Sequence, residues 1–274
     1  MGEENNGSAT KDIIDAVKGV AEAVPIYDDM VQPAAKELSK GLVTLAKTVN
    51  LALAPLEGVV WGYEKIKNIF MPKVEQRLKN VPPENIITPK INVAGPIVEA
   101  LRYTGSEEAL SDLYANLLAT SMDKDTATTA HPAFTEIIKQ LTPDEARIIA
   151  LFQGDPYMPL VDIRQQTKMK PEQGHFTLLP NYSHLGEMAG CEHPTLVPAY
   201  IDNLIRLGLM EIPSGLSYTL PGIYDQLESS ETAQSIKRAI ESQNSDHEID
   251  FKRKFLIITA LGKQFAKVCV VPKS

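Results

Sequence analysis

The sequence of 274 residues has few features that are typical of secreted or membrane-spanning proteins. It contains only two cysteines, Cys191 and Cys269, which form no CxxC pair, so no disulfide framework is predicted and a reducing cytoplasm is expected. The first residues, MGEENNGSATKD, are polar and acidic and do not resemble a signal peptide. The most apolar stretch, residues 41–60, contains Lys47 and Glu57, so the sequence predicts no conventional spanning helix.

The sequence also lacks the short motifs of common catalytic sites. It has no GxxxxGK[ST], GxGxxG, GxSxG or HExxH motif. The adjacent carboxylates Glu107-Glu108 and Asp144-Glu145 fall at predicted helix starts, where the helix dipole favours acidic residues. Neighbouring residues on a helix also point in different directions and so do not face one site. We therefore expect neither an enzyme nor a cofactor.

Possible metal ligands are few and poorly spaced. Four of them fall within nineteen residues, namely His175, His184, Cys191 and His193. Zinc sites usually combine short paired spacings, and here only the pair Cys191-x-His193 is close. We interpret these four as loop and helix-cap residues, and no metal site is predicted.

The charge of the chain is uneven. Its formal net charge is −8, which argues against a nucleic-acid binder, because phosphate contacts need concentrated Lys and Arg. Residues 30–80 are the exception, with eight Lys or Arg against four Asp or Glu, a net of +4. This shift separates the N-terminal region from the acidic remainder.

Residues 33–60 within this basic region predict an unusually apolar helix. Lys36, Lys40 and Lys47 fall on one side, and nearly everything else from Gly41 onward is Ala, Val or Leu. Such a helix is either a buried core helix or one that lies in an anionic membrane and self-associates into a pore. The membrane-contact or oligomerisation candidates are Lys36, Lys40, Leu42, Leu45, Lys47, Leu51, Leu53, Leu56 and Trp61. A second amphipathic helix is predicted to end near Lys79.

The stretch Ser106–Leu141 predicts a helical hairpin. Leu110, Leu113 and Leu117 follow helical spacing after a Ser cap, and Pro132 begins a second apolar stripe that ends at Leu141. Before it, residues 85–93 predict a short extended segment, and Gly95-Pro96 predicts a helix start. We interpret the hairpin as a packing unit.

From Thr142 onward the pattern predicts a winged-helix-like domain. Helices are predicted from Thr142, over 160–168 and over 194–207, followed by a strand at 209–212. Further strands are predicted at 217–220 and 255–259, with an inserted helix at 222–244 and a last helix with Leu261, Phe265 and Val268 inward. This order of elements is that of a winged helix.

A winged helix raises the question of its partner. The third helix offers Tyr200, Asn203 and Arg206, and the wing offers Lys252, Arg253 and Lys254. Residues 142–274 contain 13 Lys or Arg against 16 Asp or Glu, so a protein partner is favoured over DNA. The basic triplet is also typical of a solvated strand edge that prevents aggregation.

Four segments resemble a known protein family. They are LYANLLATSMDKD, HPAFTEIIKQLTPDEA, CEHPTLVPAYIDNLIRLGLMEI and TALGKQFAKVC, and in this order they are similar to the Abi-alpha family of bacterial proteins. The resemblance implies a role in abortive infection, the defence in which an infected cell stops growing or dies. It implies no biochemical activity.

The sequence as a whole predicts a mainly α protein of four regions. These are a polar tail (1–10), an amphipathic helical region (11–80), a helical hairpin core (81–141) and a winged-helix-like α+β domain (142–274). Our hypothesis is a non-enzymatic cytoplasmic defence protein that senses a phage protein and permeabilises the inner membrane through self-associating N-terminal helices. The alternative is a cytoplasmic regulator or adaptor that binds nucleic acid or a host protein.

Overall fold

The structure is a computed structural model that describes residues 65–153, 158–169, 174–244 and 246–272. The described residues form two compact units. The first contains residues 65–106 and 114–136, and the second contains residues 107–113 and 137–271. The apolar stretch 33–60 and all nine membrane-contact candidates, including Trp61, lie outside the described residues. The four regions expected from the sequence stay a prediction.

The first unit is helical. A π-helical turn, Ile66–Phe70, continues directly into α1, Met71–Leu78, which confirms the predicted amphipathic helix that ends near Lys79. The following helices are α2 (Ile91–Thr104), α3 (Glu108–Ser121) and α4 (Ala133–Ile138), of which α3 and α4 extend into the residues of the second unit. Short 3₁₀ turns occupy Pro83–Asn85 and Ala127–Thr129.

The core of the first unit is formed by aromatic and branched side chains. Phe70, Val74, Ile97, Leu101 and Tyr114 are completely or almost completely buried. Every residue of α3 from Tyr114 to Ser121 is buried, including Asn116 and Thr120. This part of α3 is therefore buried on all sides. The helical spacing of its apolar residues predicted burial of only one face.

The segment before α2 is shorter than predicted. Ile86 forms an isolated antiparallel bridge with Asp123, but the helix already begins at Ile91, four residues before Gly95. Pro96 therefore lies inside α2 rather than at its start. A proline in the second turn lacks one backbone donor, and the buried side chains of Val93 and Ile97 hold the helix around it.

The described residues of the second unit form six α-helices and a small antiparallel sheet. Its helices are α5 (Pro143–Ala150), α6 (Leu185–Ala189), α7 (Val197–Arg206), α8 (Asp225–Glu228) and α9 (Glu231–Gln243), followed by α10 (Ala260–Phe265) and a π turn, Ala266–Val270. Its strands are β1 (Met158–Thr167), β2 (His175–Tyr182), β3 (Met210–Glu211) and β4 (His247–Ile258). The strand order is β2-β1-β4-β3.

The predicted helix over 160–168 is wrong, because these residues lie in or directly after strand β1. The strand pairs with β4 over ten residues, from Met158 opposite Leu256 to Thr167 opposite His247. The apolar run Leu160, Val161 and Ile163 fits either a helix or a strand. The long ladder with β4, far along the chain, decides between them.

The two faces of the sheet differ. Val161 and Ile163 point to a face on which they pack with Tyr224, Leu227 and Ala233 of the segment that includes α8 and α9. The insertion predicted at 222–244 is confirmed to be helical, but it contains two helices, α8 and α9, instead of one. Asp162 and Lys254 lie on the other face, since side chains alternate along a strand. Asp162 is opposite Lys252 in the ladder, and Lys254, two residues further along β4, donates to its carboxylate.

The winged-helix prediction is not confirmed, and the second unit is an α+β unit. Residues 217–220 form no strand, whereas 209–212 and 255–259 contain β3 and the end of β4. In the last helix, Phe265 and Val268 are buried as predicted. Leu261 is exposed, so its predicted inward position is wrong.

Candidate partner-binding surface

Helix α5 begins with a capping box, as the sequence Thr-Pro-Asp-Glu predicts. The backbone N–H of Glu145 donates to Thr142 Oγ1 at 3.2 Å, and the backbone N–H of Thr142 donates to Glu145 Oε2 at 2.6 Å. Pro143 occupies the first turn, where its missing donor is not needed. The cap fixes the first turn of α5, which carries Asp144.

Asp144 is the centre of a buried polar network. Its carboxylate accepts the backbone N–H groups of Glu192 at 2.9 Å and His193 at 3.0 Å, and the hydroxyl of Tyr200 at 3.1 Å. Arg147, one turn along α5, also donates to it. The carboxylate is only 3% exposed, and its four donors connect α5, the turn before α7 and α7 itself.

Burial and hydrogen bonding shift the pKa values of three side chains in this network. Burial disfavours the charged form of Asp144, but its hydrogen bonds outweigh burial and hold its pKa below the ordinary value. Burial and the hydrogen bond to Asp144 raise the pKa of Tyr200 to about 12. Burial and the negative charge of Asp144 raise the pKa of Cys191 to about 11. At neutral pH Cys191 is therefore a thiol, which is a poor nucleophile.

The turn held by Asp144 is built by glycine and proline. Helix α6 ends at Gly190, whose φ of +63° lies in the left-handed region, and the N–H of Cys191 donates to the carbonyl of Gly186 at 2.8 Å. Gly186 packs closely on the next turn, since a Cβ there would lie 2.8 Å from Pro194 Cα. Pro194 then begins a 3₁₀ turn that leads into α7.

The side chains of this turn point outward. We define the α6–α7 surface as eight exposed residues of α6, the turn and α7, leaving out glycine, alanine and proline. They are Glu187, Met188, Glu192, His193, Thr195, Leu196, Asp202 and Arg206. Met188 is 59% exposed and Leu196 is 49% exposed. The backbone beneath them is fixed by a buried carboxylate, and side chains on a rigidly held turn are suited to binding.

The candidates of the predicted third helix fall on different parts of α7. Tyr200 is buried against Asp144. Asn203 donates to Glu145 Oε1 at 2.7 Å, and the exposed Arg206 donates to Gln140 Oε1 at 3.1 Å. These contacts tie α7 to the region of α5. The role of the three residues in binding a partner stays a prediction.

The basic triplet on β4 is divided by the alternation of the strand. Lys252 is exposed, and Arg253 donates to Glu228 at 2.6 Å and lies 5.4 Å from the ring centre of Tyr224. Lys254 lies on the same face as Lys252 but is mostly buried and donates to Asp162 Oδ1 at 2.5 Å. The triplet is thus not one basic surface, and its role in partner binding also stays a prediction.

A second buried polar cluster lies on the sheet around Asp162. Its Oδ1 atom accepts Lys254 Nζ and, at 2.9 Å, the backbone N–H of Asn181. Asn181 Oδ1 accepts Lys254 Nζ at 2.5 Å, and its amide donates to Asp202 of α7 at 3.2 Å. Asn181 has a φ of 52°, a left-handed conformation that Asn adopts more readily than most residues.

The four possible metal ligands are dispersed. His175 lies beside Arg164, His184 contacts Tyr182, Cys191 lies beside the Asp144 carbonyl, and His193 is exposed. Within the described ranges, no group of three or more His, Cys, Asp or Glu side chains is arranged to hold a metal. In that same part of the chain, none of the helices has the length and apolar character that crossing a membrane requires.

The buried carboxylates Asp144 and Asp162 and the left-handed Asn181 were not recognised from the sequence. From the sequence, Asp144 is interpreted only as an acidic residue at a helix start. The structure confirms that position but also gives the carboxylate distant hydrogen-bond donors. Apart from Arg147, its donors come from residues 48 to 56 positions later, and no local pattern indicates them. The dipeptide Pro180-Asn181 is a turn signal that could have indicated the irregular end of β2.

Comparison with known proteins identifies the family of this chain. The sequence model of the Abi_alpha family, described as abortive infection alpha, matches residues 62–269. The chain belongs to this family. A solved structure of an uncharacterised protein from the marine bacterium Alcanivorax borkumensis SK2 is similar at 20% identity, with 54% of this chain and 96% of that chain covered and a TM-score of 0.34. Among curated proteins, none matches this chain.

Proposed function

We propose that the chain is a non-enzymatic abortive infection protein whose second unit senses a phage protein through the α6–α7 surface. Membership of the abortive infection family supports the defence role. The observation that supports the location is the Asp144 network, which fixes a turn whose side chains face outward. Exposed Met188 and Leu196 supply apolar contact there, and Glu187 and Glu192 supply charge.

The effector step in this proposal is assigned to the N-terminal region. The net charge of +4 over residues 30–80 and the apolar stretch 41–60 favour contact with an anionic inner membrane and self-association there. Binding of the phage protein to the second unit would release this region. The sequence alone supports this step.

Phage challenge of cells that carry the gene tests the sensing surface. The double variant Met188→Glu/Leu196→Glu places charges on the exposed apolar side chains of the surface. We expect plaque numbers to return to those of cells without the gene, because an apolar contact is replaced by two buried charges in the complex. The matched control is Leu220→Glu, an exposed leucine elsewhere in the unit that is 61% exposed.

The outcome against the sensing proposal is full protection by a double variant that melts at the wild-type temperature. Dye release from anionic liposomes tests the effector step separately. We expect leakage when purified protein is mixed with lysate of infected cells, and reduced leakage for Leu45→Asp. Absence of both leakage and vesicle binding with every lysate would reject the membrane step and leave the sensing step standing.

A further inference from the structure

The charged side chains of the α6–α7 surface are mostly of one sign. The surface carries three carboxylates, on Glu187, Glu192 and Asp202, and one fixed cation, on Arg206. Arg206 donates to the neutral side chain of Gln140 at 3.1 Å. Among the residues that the structure describes, no Lys, Arg or His side chain forms an ion pair with any of the three carboxylates. The surface therefore presents uncompensated negative charge.

One of these carboxylates is held in position by a buried neighbour. Asp202 Oδ1 accepts the side-chain amide of Asn181 at 3.2 Å. Asn181 is only 6% exposed, and its own Oδ1 accepts Lys254 Nζ at 2.5 Å. A carboxylate that is fixed before binding loses less side-chain entropy when it pairs with a cation. Asp202 is thus a pre-organised acceptor on the exposed side of α7.

Apolar side chains accompany the carboxylates. Met188 and Leu196 are exposed large hydrophobic residues on α6 and on the 3₁₀ turn before α7. These two elements contact each other closely at Gly186 and Pro194. The flexible side chain of methionine adapts to the shape of a partner. Apolar side chains with polar and charged ones around them are the usual composition of a protein interface.

We propose that the α6–α7 surface binds a basic amphipathic segment of the phage protein. Its apolar side chains would cover Met188 and Leu196, and its Lys or Arg side chains would pair with the three carboxylates, first of all with the fixed Asp202. This inference rests on the proposed sensing function and adds the chemistry of the partner.

The sign of the charge selects this occupant. Nucleic acids and anionic lipid surfaces are negatively charged, so three uncompensated carboxylates repel them. A second copy of the chain, with a formal net charge of −8, is repelled in the same way. An uncharged segment would remove water from the carboxylates without replacing its hydrogen bonds, which is unfavourable. A basic segment supplies both the donors and the opposite charge.

Binding of a synthetic peptide to the full chain tests this proposal. The probe peptide has three lysines and two leucines at helical spacing with alanine elsewhere, and the counter-probe has glutamate in place of lysine. We expect fluorescence anisotropy to show at least ten-fold tighter binding of the lysine peptide. We also expect this binding to weaken as the salt concentration is raised, because exposed charges are screened.

Two variants of equal net charge separate the surface from the acidic chain as a whole. The surface variant neutralises the three carboxylates of the α6–α7 surface: Glu187→Gln/Glu192→Gln/Asp202→Asn. The control variant neutralises three exposed carboxylates outside it: Glu211→Gln/Glu241→Gln/Asp246→Asn. We expect the surface variant to bind the lysine peptide about ten-fold more weakly than the wild type, and the control variant to stay within about two-fold of it. Wild-type melting temperatures of both variants show that they are folded.

The proposal is overturned if the wild type does not bind the lysine peptide, if the glutamate peptide binds as tightly, or if the two variants bind the lysine peptide equally. Binding that appears only in Lys36→Gln/Lys40→Gln/Lys47→Gln also overturns it, because the chain's own basic region would then occupy the surface.

These failures differ from failure of the sensing proposal. If Met188→Glu/Leu196→Glu loses protection against phage while the surface and control variants bind the peptide equally, the surface still senses a partner, but that partner is not basic. Full protection by Met188→Glu/Leu196→Glu rejects the sensing proposal, and with it the phage origin of the segment, whatever the peptide shows.

Discussion

The second unit contains two buried carboxylates that are stabilised in different ways. Asp144 is 3% exposed and accepts two backbone N–H groups and a tyrosine hydroxyl, with Arg147 at its more exposed side. Asp162 is 9% exposed and is paired with the Lys254 ammonium on the neighbouring strand. The first carboxylate is held mainly by neutral dipoles, and the second by a full opposite charge.

The difference determines what each carboxylate does for the fold. Two donors of Asp144 are backbone N–H groups of the turn before α7, so this carboxylate helps to position the backbone of the α6–α7 surface. Asp162 and Lys254 lie on strands that already share a ladder of ten residue pairs. A buried ion pair is weak support for stability, since much of its attraction is offset by lost hydration. We therefore expect Asp144 to matter more.

Removal of the Asp144 carboxylate is the largest expected effect. Asp144→Ala leaves two backbone N–H groups and the buried Tyr200 hydroxyl without their acceptor, and we expect a loss of roughly 3 kcal/mol in the free energy of unfolding. Urea denaturation at pH 7 measures it. Glu192→Ala is the control, because its exposed side chain is lost while its backbone N–H still donates. Equal stabilities of the two variants would contradict the role of the network.

Breaking the ion pair between Asp162 and Lys254 is expected to lower the free energy of unfolding by a smaller amount. A second substitution, which removes the other charge, is expected to reverse part of this loss. Lys254→Met leaves the mostly buried Asp162 with one donor fewer, and we expect a loss of about 2 kcal/mol in unfolding free energy. The double variant Asp162→Asn/Lys254→Met removes both charges and is expected to recover about half of it. Additive losses in this double-mutant cycle would show that the two side chains do not interact.

The pH dependence of stability is expected to differ between the wild type and Asp144→Asn, in which a neutral amide replaces the carboxylate. The pKa of Asp144 is lowered in the folded state, so its ionised form contributes stability at pH values above the unfolded pKa of about 4. That contribution is lost as the pH falls through the lower, folded pKa. We expect the stability difference between wild type and Asp144→Asn to shrink between pH 5 and pH 3, measured by urea denaturation. A constant difference would contradict the lowered pKa.

The helix cap beneath Asp144 is expected to contribute less. Thr142→Ala removes the side-chain acceptor for the Glu145 N–H, and we expect a loss of about 1 kcal/mol in unfolding free energy. Thr142→Ser keeps the hydroxyl and serves as the control, with a loss well below that of the alanine variant. If serine is as destabilising as alanine, the methyl group and not the cap is responsible.

The exposed pair of Arg253 and Glu228 is expected to have the smallest effect. The Arg253 side chain is 50% exposed, and exposed ion pairs contribute little because water and salt screen them. We expect Arg253→Gln to change the unfolding free energy by at most about 0.5 kcal/mol. A loss as large as that of Lys254→Met, measured in parallel, would show that β4 depends on both of its charged contacts.

Local signals in the sequence predicted several elements correctly. The capping sequence at Thr142 and Pro143 predicted the start of α5, and helical spacing predicted α3 and α7. The run Leu160–Ile163 was misinterpreted, because a short apolar run fits both periods and its partner strand lies about 90 residues later. The candidate surface was predicted only in part: Arg206 of α7 is exposed on it, but Met188 and Leu196 were not recognised.

The sequence by itself determined the family, because four of its segments resemble that family in the same order. It also determined the helix starts, because a helix cap depends on residues within one turn. Tertiary structure alone decided that Asp144 is an acceptor for a distant turn, that Tyr200 is buried and that Lys254 is paired rather than free to bind. These outcomes depend on donors and acceptors brought together from positions tens of residues apart. Local spacing carries no information about such pairs. Once the chain has folded, however, a buried polar group needs a hydrogen-bond partner, so each of these pairs is required.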